Sequence, residues 1–254
     1  LTGIHTGGYG DDLDNYRLSD LLWDLDKVDG LERVRISSIE ASQIDEKLLD
    51  VLNRSSKMCR HLHIPLQAGH NDVLKAMRRK YTTEEYFNKM QLIRQAMPDV
   101  GITTDVIVGF PGETDEMFRA GYEFMKAVNY SEMHVFPYSK RTGTPAARMD
   151  NQVDEEIKNA RVQELIDLSE EMQLAYARKF VGQTLTVIPE RSAKGAPGRN
   201  VQHGFSDNYL QVFFEGADSL QGELCQVKIT EAGVNECQGE LIGVQQTGLK
   251  QAVR

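Results

Sequence analysis

Between Tyr16 and Lys27 the apolar residues Leu18, Leu21, Leu22 and Leu25 recur at helical spacing, Val28 continues the stripe, and Gly30 stops it. Val34-Arg-Ile-Ser-Ser-Ile39 alternates instead and predicts a strand; residues 44–52 return to the helical period, and Leu62-His-Ile-Pro-Leu66 predicts another strand. Helices are predicted over 72–80 and 83–97, the second opened by the capping sequence Thr82-Thr83-Glu84-Glu85 and closed near Pro98. Residues 100–108 predict a strand, 114–128 a helix with Thr114 as its N-cap, and 132–138 a strand. Alternation of this kind implies an α/β fold, with parallel strands joined by right-handed helical crossovers in an open sheet or a barrel. A complete eight-fold barrel takes about 250 residues, and here the pattern stops near residue 150. The sheet is therefore expected to be partial, or to begin upstream of Leu1. Loops after strands form the active face in such folds, so residues 3–11, 37–43, 67–71, 109–113 and 139–145 are expected to cluster.

From Asp154 to Val181 the residues Ile157, Leu165, Leu168, Met172 and Tyr176 share one stripe of a long amphipathic helix. After Gly182 the period changes to two. Residues 184–188, 209–214 and 224–229 predict strands between turns such as Gly195-Ala-Pro-Gly198 and Glu215-Gly-Ala-Asp218, a small all-β module of the size of a five-stranded barrel. The expected divisions are residues 1–150, the connecting helix 151–181 and the β module 182–254.

With 40% hydrophobic and 26% charged residues over 254 positions, the chain can bury a core, which excludes overall disorder. Its longest apolar runs, such as Val106-Ile-Val108 and Val212-Phe-Phe214, fall far short of the ~20 residues of a membrane helix, so no spanning segment is expected. The 29 basic residues against 38 acidic, a net charge of -9, argue against coating nucleic acid by electrostatics alone. Any nucleic-acid contact is expected to be local, and the β module itself holds 6 basic against 8 acidic residues. Cys59, Cys225 and Cys237 are scattered without a framework, which fits a reducing cytoplasm. The opening Leu1-Thr-Gly-Ile-His-Thr-Gly-Gly-Tyr-Gly10 reads as a strand end entering a Gly-rich loop, and hence as the start of a fragment.

Several segments carry candidate chemistry. Gly109-Phe-Pro-Gly-Glu-Thr114 follows an apolar strand and opens a helix: it either brings a ligand close to the backbone at a helix N-terminus or is a tight turn. Arg35-Ile-Ser-Ser-Ile-Glu40 offers two hydroxyls and a carboxylate to a sugar or an amine, or is a solvated loop, and Gln67 offers an amide at a strand end. In Cys59-Arg-His61-Leu-His63 residues two apart share a face, yet zinc would need a further ligand, so packing is expected and no metal site. His134 is expected to be a strand residue, and Arg78-Arg-Lys80 a solvated helix end.

Taken together, His63-Ile-Pro-Leu-Gln-Ala-Gly69, Val73-Leu-Lys-Ala-Met-Arg-Arg79, Asp105-Val-Ile-Val-Gly-Phe-Pro-Gly-Glu-Thr114 and Phe136-Pro-Tyr-Ser-Lys-Arg-Thr-Gly-Thr-Pro-Ala146 resemble the radical S-adenosylmethionine methylthiotransferases. The resemblance implies the later part of a radical-SAM partial (βα) barrel followed by a TRAM-like β-barrel that presents RNA. Leu1-Thr-Gly-Ile-His-Thr-Gly-Gly-Tyr-Gly10 and Arg35-Ile-Ser-Ser-Ile-Glu40 are most similar to the branch acting on N6-threonylcarbamoyladenosine at position 37 of tRNA. The alternatives are a non-catalytic RNA-binding module and the branches acting on isopentenyladenosine or on a ribosomal-protein aspartate. The sequence has Gln67-Ala-Gly-His70 where the family commonly has Gln-Ser-Gly-Ser, and it lacks the family's C-x-x-x-C-x-x-C. The resemblance further implies S-adenosylmethionine, two 4Fe–4S clusters in the intact protein whose ligands are absent from this chain, tRNA, and an electron donor such as flavodoxin or ferredoxin. Residue by residue it places Thr2 and Gly3 at the methionine end of S-adenosylmethionine, Ser38, Glu40 and Gln67 at its amine or ribose, and the backbone of Val108 and Gly109 at adenine. Arg141 falls on the substrate side of the barrel mouth. In the β module Arg191, Lys194, Arg199, Tyr209 and Lys228 are candidates for phosphates and a stacked base.

Overall fold

The computed structural model of the protein describes residues 1–3, 5–192 and 201–245. Its first part runs α1 (Leu18–Asp26), α2 (Glu46–Arg54), β1 (His61–His63), α3 (Asn71–Ala76), α4 (Thr83–Ala96), β2 (Gly101–Val108), α5 (Asp115–Val128) and β3 (Glu132–Pro137), followed by the long α6 (Glu155–Arg178). Helices begin where the sequence supplies caps. Asp45 accepts the Leu48 N–H at 2.7 Å and Thr114 accepts that of Met117 at 3.3 Å. At α4, Thr82 accepts from the Glu85 N–H while Glu85 accepts from that of Thr82, a reciprocal capping box. Among the described residues no helix is long and apolar enough to cross a membrane.

The three strands are parallel, with β2 between β1 and β3. Residues 34–39, expected as a strand, join the sheet only through the isolated bridges Val34 to Met58 and Ser38 to His63. Leu1 lies beside them, its amino group donating to the Arg35 carbonyl at 2.6 Å and its carbonyl accepting the Ser37 N–H at 2.9 Å. On one face of β2, Ile102, Val106 and Val108 enter a core with Tyr86, Met90, Phe118 and Met125 from the helices. The opposite face carries Thr103, Asp105 and Ile107, because successive side chains alternate. This is the wall of the partial barrel.

The second part is a closed barrel of β4 (Thr184–Ser192), β5 (Val201–Ser206), β6 (Gln211–Glu215), β7 (Leu224–Ala232) and β8 (Cys237–Gln245), in the order β4-β5-β6-β8-β7. All its pairings are antiparallel except β6 with β8. Val187, Val212, Phe214, Val227 and Ile229 fill it, and Tyr176, Ala177 and Phe180 from the end of α6 join the same core. One helix thus serves two cores.

Polar and aromatic contacts fasten the barrels together. Arg33 donates to the carbonyls of Thr186 at 2.8 Å and Phe205 at 3.2 Å, and Arg35 to that of Ser206 at 2.9 Å. Tyr209 stacks on His61, with centroids 4.2 Å apart, and on Phe205 at 4.7 Å, while the Arg35 guanidinium lies 4.6 Å from the same ring. Gly101 permits the close approach: a Cβ there would stand 2.5 Å from the Asn208 carbonyl oxygen. The expected role of Tyr209 as a platform for a nucleic-acid base is corrected by this geometry, since protein groups already occupy its ring.

Burial pulls the His61 imidazole down from 6.5 to about 3, with the nearby Arg35 adding to the effect. Between those values the unfolded chain binds a proton that the folded chain refuses, so this stability is complete above about pH 6.5 and is lost as pH falls toward 3. His61→Phe, which preserves an aromatic face for Tyr209, should lower the pH dependence of unfolding free energy in that window by up to about 1.4 kcal/mol per pH unit. Urea titrations at pH 7, 6, 5 and 4 measure it; parallel slopes for wild type and variant would refute the assignment.

Candidate active site

Gln67 is held where a side chain rarely sits. Pro65 interrupts the ladder beyond β1, but pairing resumes through the Gln67 N–H to the Asp105 carbonyl and the Ile107 N–H to the Gln67 carbonyl, both at 2.8 Å. Gln67 adopts φ 71°, in the left-handed region that non-glycine residues enter only when their surroundings impose it. Its side chain lines two neighbouring clefts at the carboxyl ends of the strands. The larger, of about 730 Å³, is walled by Asp105, Ile107, Phe110, Phe136 and Tyr138 and rimmed by Arg78, Arg79 and Arg141. The smaller, of about 180 Å³, is lined by Thr6, Ser38, Glu40, Arg79 and Tyr81. Tyr81 donates to the Leu66 carbonyl at 2.7 Å, and burial pushes its hydroxyl up to about 12, which keeps it a donor at neutral pH.

The structure therefore brings Ser38, Glu40, Gln67 and Arg141 to one mouth. Thr2 and Gly3 are exposed and line neither cleft; they follow Leu1, which pairs with Arg35 and Ser37, and the Thr6 hydroxyl lies 3.1 Å from that of Ser37. Val108 and Gly109 line neither cleft. The Val108 side chain is buried on the helix side, and the Gly109 N–H donates to Glu113 Oε2 at 2.6 Å. A Cβ at Gly109 would run into the stem of Lys158, so this backbone is packed against α6. The tight-turn reading of this loop is the one the geometry supports. Ile107, Phe110 and Asp105 take the wall positions instead, and strict alternation along β2 was the available signal for Asp105 and Ile107.

The turn is locked by α6. Arg161 donates to Glu113 Oε2 at 2.8 Å and to Asp115 Oδ1 at 2.6 Å, and its guanidinium lies 5.2 Å from the centre of the Phe118 ring. Burial pushes the Glu113 carboxyl up, against the Gly109 N–H and Arg161, which favour its charged form.

In the β-barrel, Lys228 is exposed and sits opposite Glu240 in the β7–β8 register. Arg191 pairs with His203 in backbone register, whereas Lys194 and Arg199 lie outside the described residues. On the outer face His203 and Phe213 stack with centroids 5.4 Å apart, a partly exposed aromatic pair that period-two alternation on β5 and β6 was able to indicate. Cys59, Cys225 and Cys237 are each buried and lie on separate elements, so they do not fit an iron–sulfur cluster.

Residues 2–125 match the Radical SAM superfamily. Over its whole length the chain is 49% identical to the threonylcarbamoyladenosine tRNA methylthiotransferase MtaB of Bacillus subtilis (strain 168), of which it covers 56%. Over 91% of its length it is 41% identical to a tRNA-2-methylthio-N(6)-dimethylallyladenosine synthase of Desulfitobacterium hafniense (strain Y51), covering 52% of that protein. The chain thus spans about half the length of the curated relatives it matches. Among solved structures, coproporphyrinogen III oxidase (HemN) from Escherichia coli aligns with 78% of this chain and 46% of that one, at 18% identity and a TM-score of 0.47.

The lock on the turn is testable through stability. Arg161→Met keeps the stem but strands the Glu113 carboxylate, and breaking a buried pair in this way costs about 3–5 kcal/mol. Adding Glu113→Gln should restore part of the loss. Chemical denaturation of the single and double variants measures both, and a single variant within 1 kcal/mol of wild type, by the ~0–1 kcal/mol scale of exposed pairs, would show that the pair is effectively solvated.

Proposed function

We propose, from the match of residues 2–125 to the Radical SAM superfamily, that the chain is the later part of a tRNA methylthiotransferase acting on N6-threonylcarbamoyladenosine at position 37, working in the cytoplasm. The observation that carries this reading is the mouth of the partial barrel, where Ser38, Glu40, Gln67 and Arg141 meet around two adjoining clefts. S-adenosylmethionine, when bound, supplies the radical and methyl chemistry, and the protein supplies orientation and exclusion of water. In this reading Thr2 and Gly3 border its methionine end, Ser38, Glu40 and Gln67 bond its amine and ribose, and Ile107 packs against its adenine. Arg79 and Arg141 hold anionic groups of the RNA at the rim. The β-barrel adds Arg191, Lys194, Arg199 and Lys228 as phosphate contacts, with the stacked His203 and Phe213 replacing Tyr209 as the aromatic surface. Two 4Fe–4S clusters and an electron donor such as flavodoxin or ferredoxin complete the proposed enzyme.

A second reading, an RNA-binding module without chemistry, is favoured by one observation: the cysteines of this chain do not converge. A cluster would need thiolates that these three residues do not supply. Anaerobic reconstitution of the 254-residue chain is expected to yield no cluster, and stoichiometric iron and sulfide with charge-transfer absorbance would overturn that expectation. Both readings require RNA contact. Replacing Arg79 and Arg141 by alanine, or Arg191, Lys194 and Arg199 together, should weaken tRNA binding and reduce the log–log salt slope by about one for each phosphate that is no longer neutralised. Filter binding at several salt concentrations measures this. Tyr209→Ala should lower the melting temperature while leaving that slope unchanged. Unaltered tRNA affinity in both sets of arginine variants would rule out the proposed interface.

A further inference from the structure

The inner face of the three-stranded sheet carries an arrangement to which the proposed enzyme gives no role. The register pairs His63 with Thr103 and Asp105 with His134. Residues two apart on a strand share a face, so His63, Asp105 and His134 project to the same side from three adjacent strands. One donor atom from each lies within 4.8 Å of the others, and all three residues are half-buried, open enough for an ion to enter. His63 Nε2 is 3.3 Å from Asp105 Oδ2, and the two imidazole rings are 5.7 Å apart.

The surroundings orient these groups. His63 Nδ1 lies 2.9 Å from the Thr103 hydroxyl, which leaves Nε2 toward the carboxylate. Glu132 Oε1 stands 3.8 Å from His134 Nδ1, too far for a hydrogen bond. Oxygen partners on the far nitrogen are the usual support of metal-binding histidines, because they fix the ring and raise its basicity. Among the described residues, no lysine or arginine forms an ion pair with Asp105.

We propose that His63, Asp105 and His134 form a binding site for a divalent transition-metal ion of the zinc class. Two imidazole nitrogens and one carboxylate oxygen are a donor set such ions take, and three protein ligands leave positions for water or an anionic group. Asp105 also lines the larger cleft, and His134 lines a separate cavity beside the β-barrel. On binding, the ion takes the place of the contact between His63 Nε2 and Asp105 Oδ2, any proton held there leaving to solvent, and small side-chain rotations bring the donors to bonds of about 2.0–2.2 Å. The site is separate from any cluster, which takes thiolates, and it stands whether or not the proposed function holds.

The test uses the untagged 254-residue chain, stripped with chelator and titrated with zinc and then with cobalt(II). One ion per chain is expected, with a Kd at or below about 1 μM. Asp105→Asn and His134→Gln should each weaken binding by at least about a hundredfold, while His203→Gln should leave it unchanged. The cobalt complex of the wild-type chain should show visible bands without thiolate charge transfer, a readout independent of whether any variant folds. Absence of saturable binding below about 100 μM, affinity unmoved by both variants, or a cobalt–thiolate band would each overturn the proposal.

Discussion

A single fully buried hydroxyl holds the sheet and its cleft in register. Thr104 Oγ1 donates to the Ile64 carbonyl and accepts the Leu66 N–H, both at 2.8 Å. Those two groups flank Pro65, which has no N–H to give to the ladder. The threonine bridges the gap from the side, and the Tyr86 hydroxyl takes the remaining lone pair of the Ile64 carbonyl at 2.7 Å. The Ile64 carbonyl and the Leu66 N–H on either side of the proline are thereby both paired. Only because the strand is carried across this point does Gln67 regain the ladder and enter the mouth. The adjacent Thr103 does the corresponding work on the other face, lying 3.0 Å from His61 and 2.9 Å from His63.

What could be read in the sequence was whatever depends on neighbours along the chain. The helical stripes and their caps at Thr82 and Thr114 needed only local spacing, as did the change to period two after Gly182. The parallel order of the first part followed from alternation, and the small closed barrel from strand length and turns. What escaped depends on contacts between distant residues. The Gly109 loop looked open to a ligand because the residue that closes it, Arg161, comes 48 positions after Glu113. Tyr209 looked free because its partner, His61, lies in the other module. Residues 34–39 alternate like a strand, yet alternation reports a buried face and not a continuous ladder. His63, Asp105 and His134 show no spacing in common, because a parallel register joins them and no single segment contains them.

Charge is distributed unevenly on this acidic molecule. The net charge of -9 repels polyanions at long range, while Arg78, Arg79 and Arg141 gather at one rim. At physiological ionic strength, repulsion between exposed charges fades beyond about 8 Å. The rim then acts on what is already close to it. In the proposed complex, selectivity for an anion would arise there from shape and from the few groups within reach, and little of it from the field of the whole protein.

The helix α6 sets a further constraint. Arg161 near its start grips the turn after β2, and Tyr176 near its end sits in the core of the β-barrel while donating to the Asp99 carbonyl at 2.9 Å. Along the axis these residues stand about 22 Å apart, at 1.5 Å per residue. The helix is thus a ruler with a fixed phase. One residue added between them would advance the far end by about 1.5 Å and rotate it by about 100°, turning Tyr176 out of its seat while Arg161 stayed in place. Evolution can vary the surface of this rod freely, but its length only in steps that return the same face to both barrels.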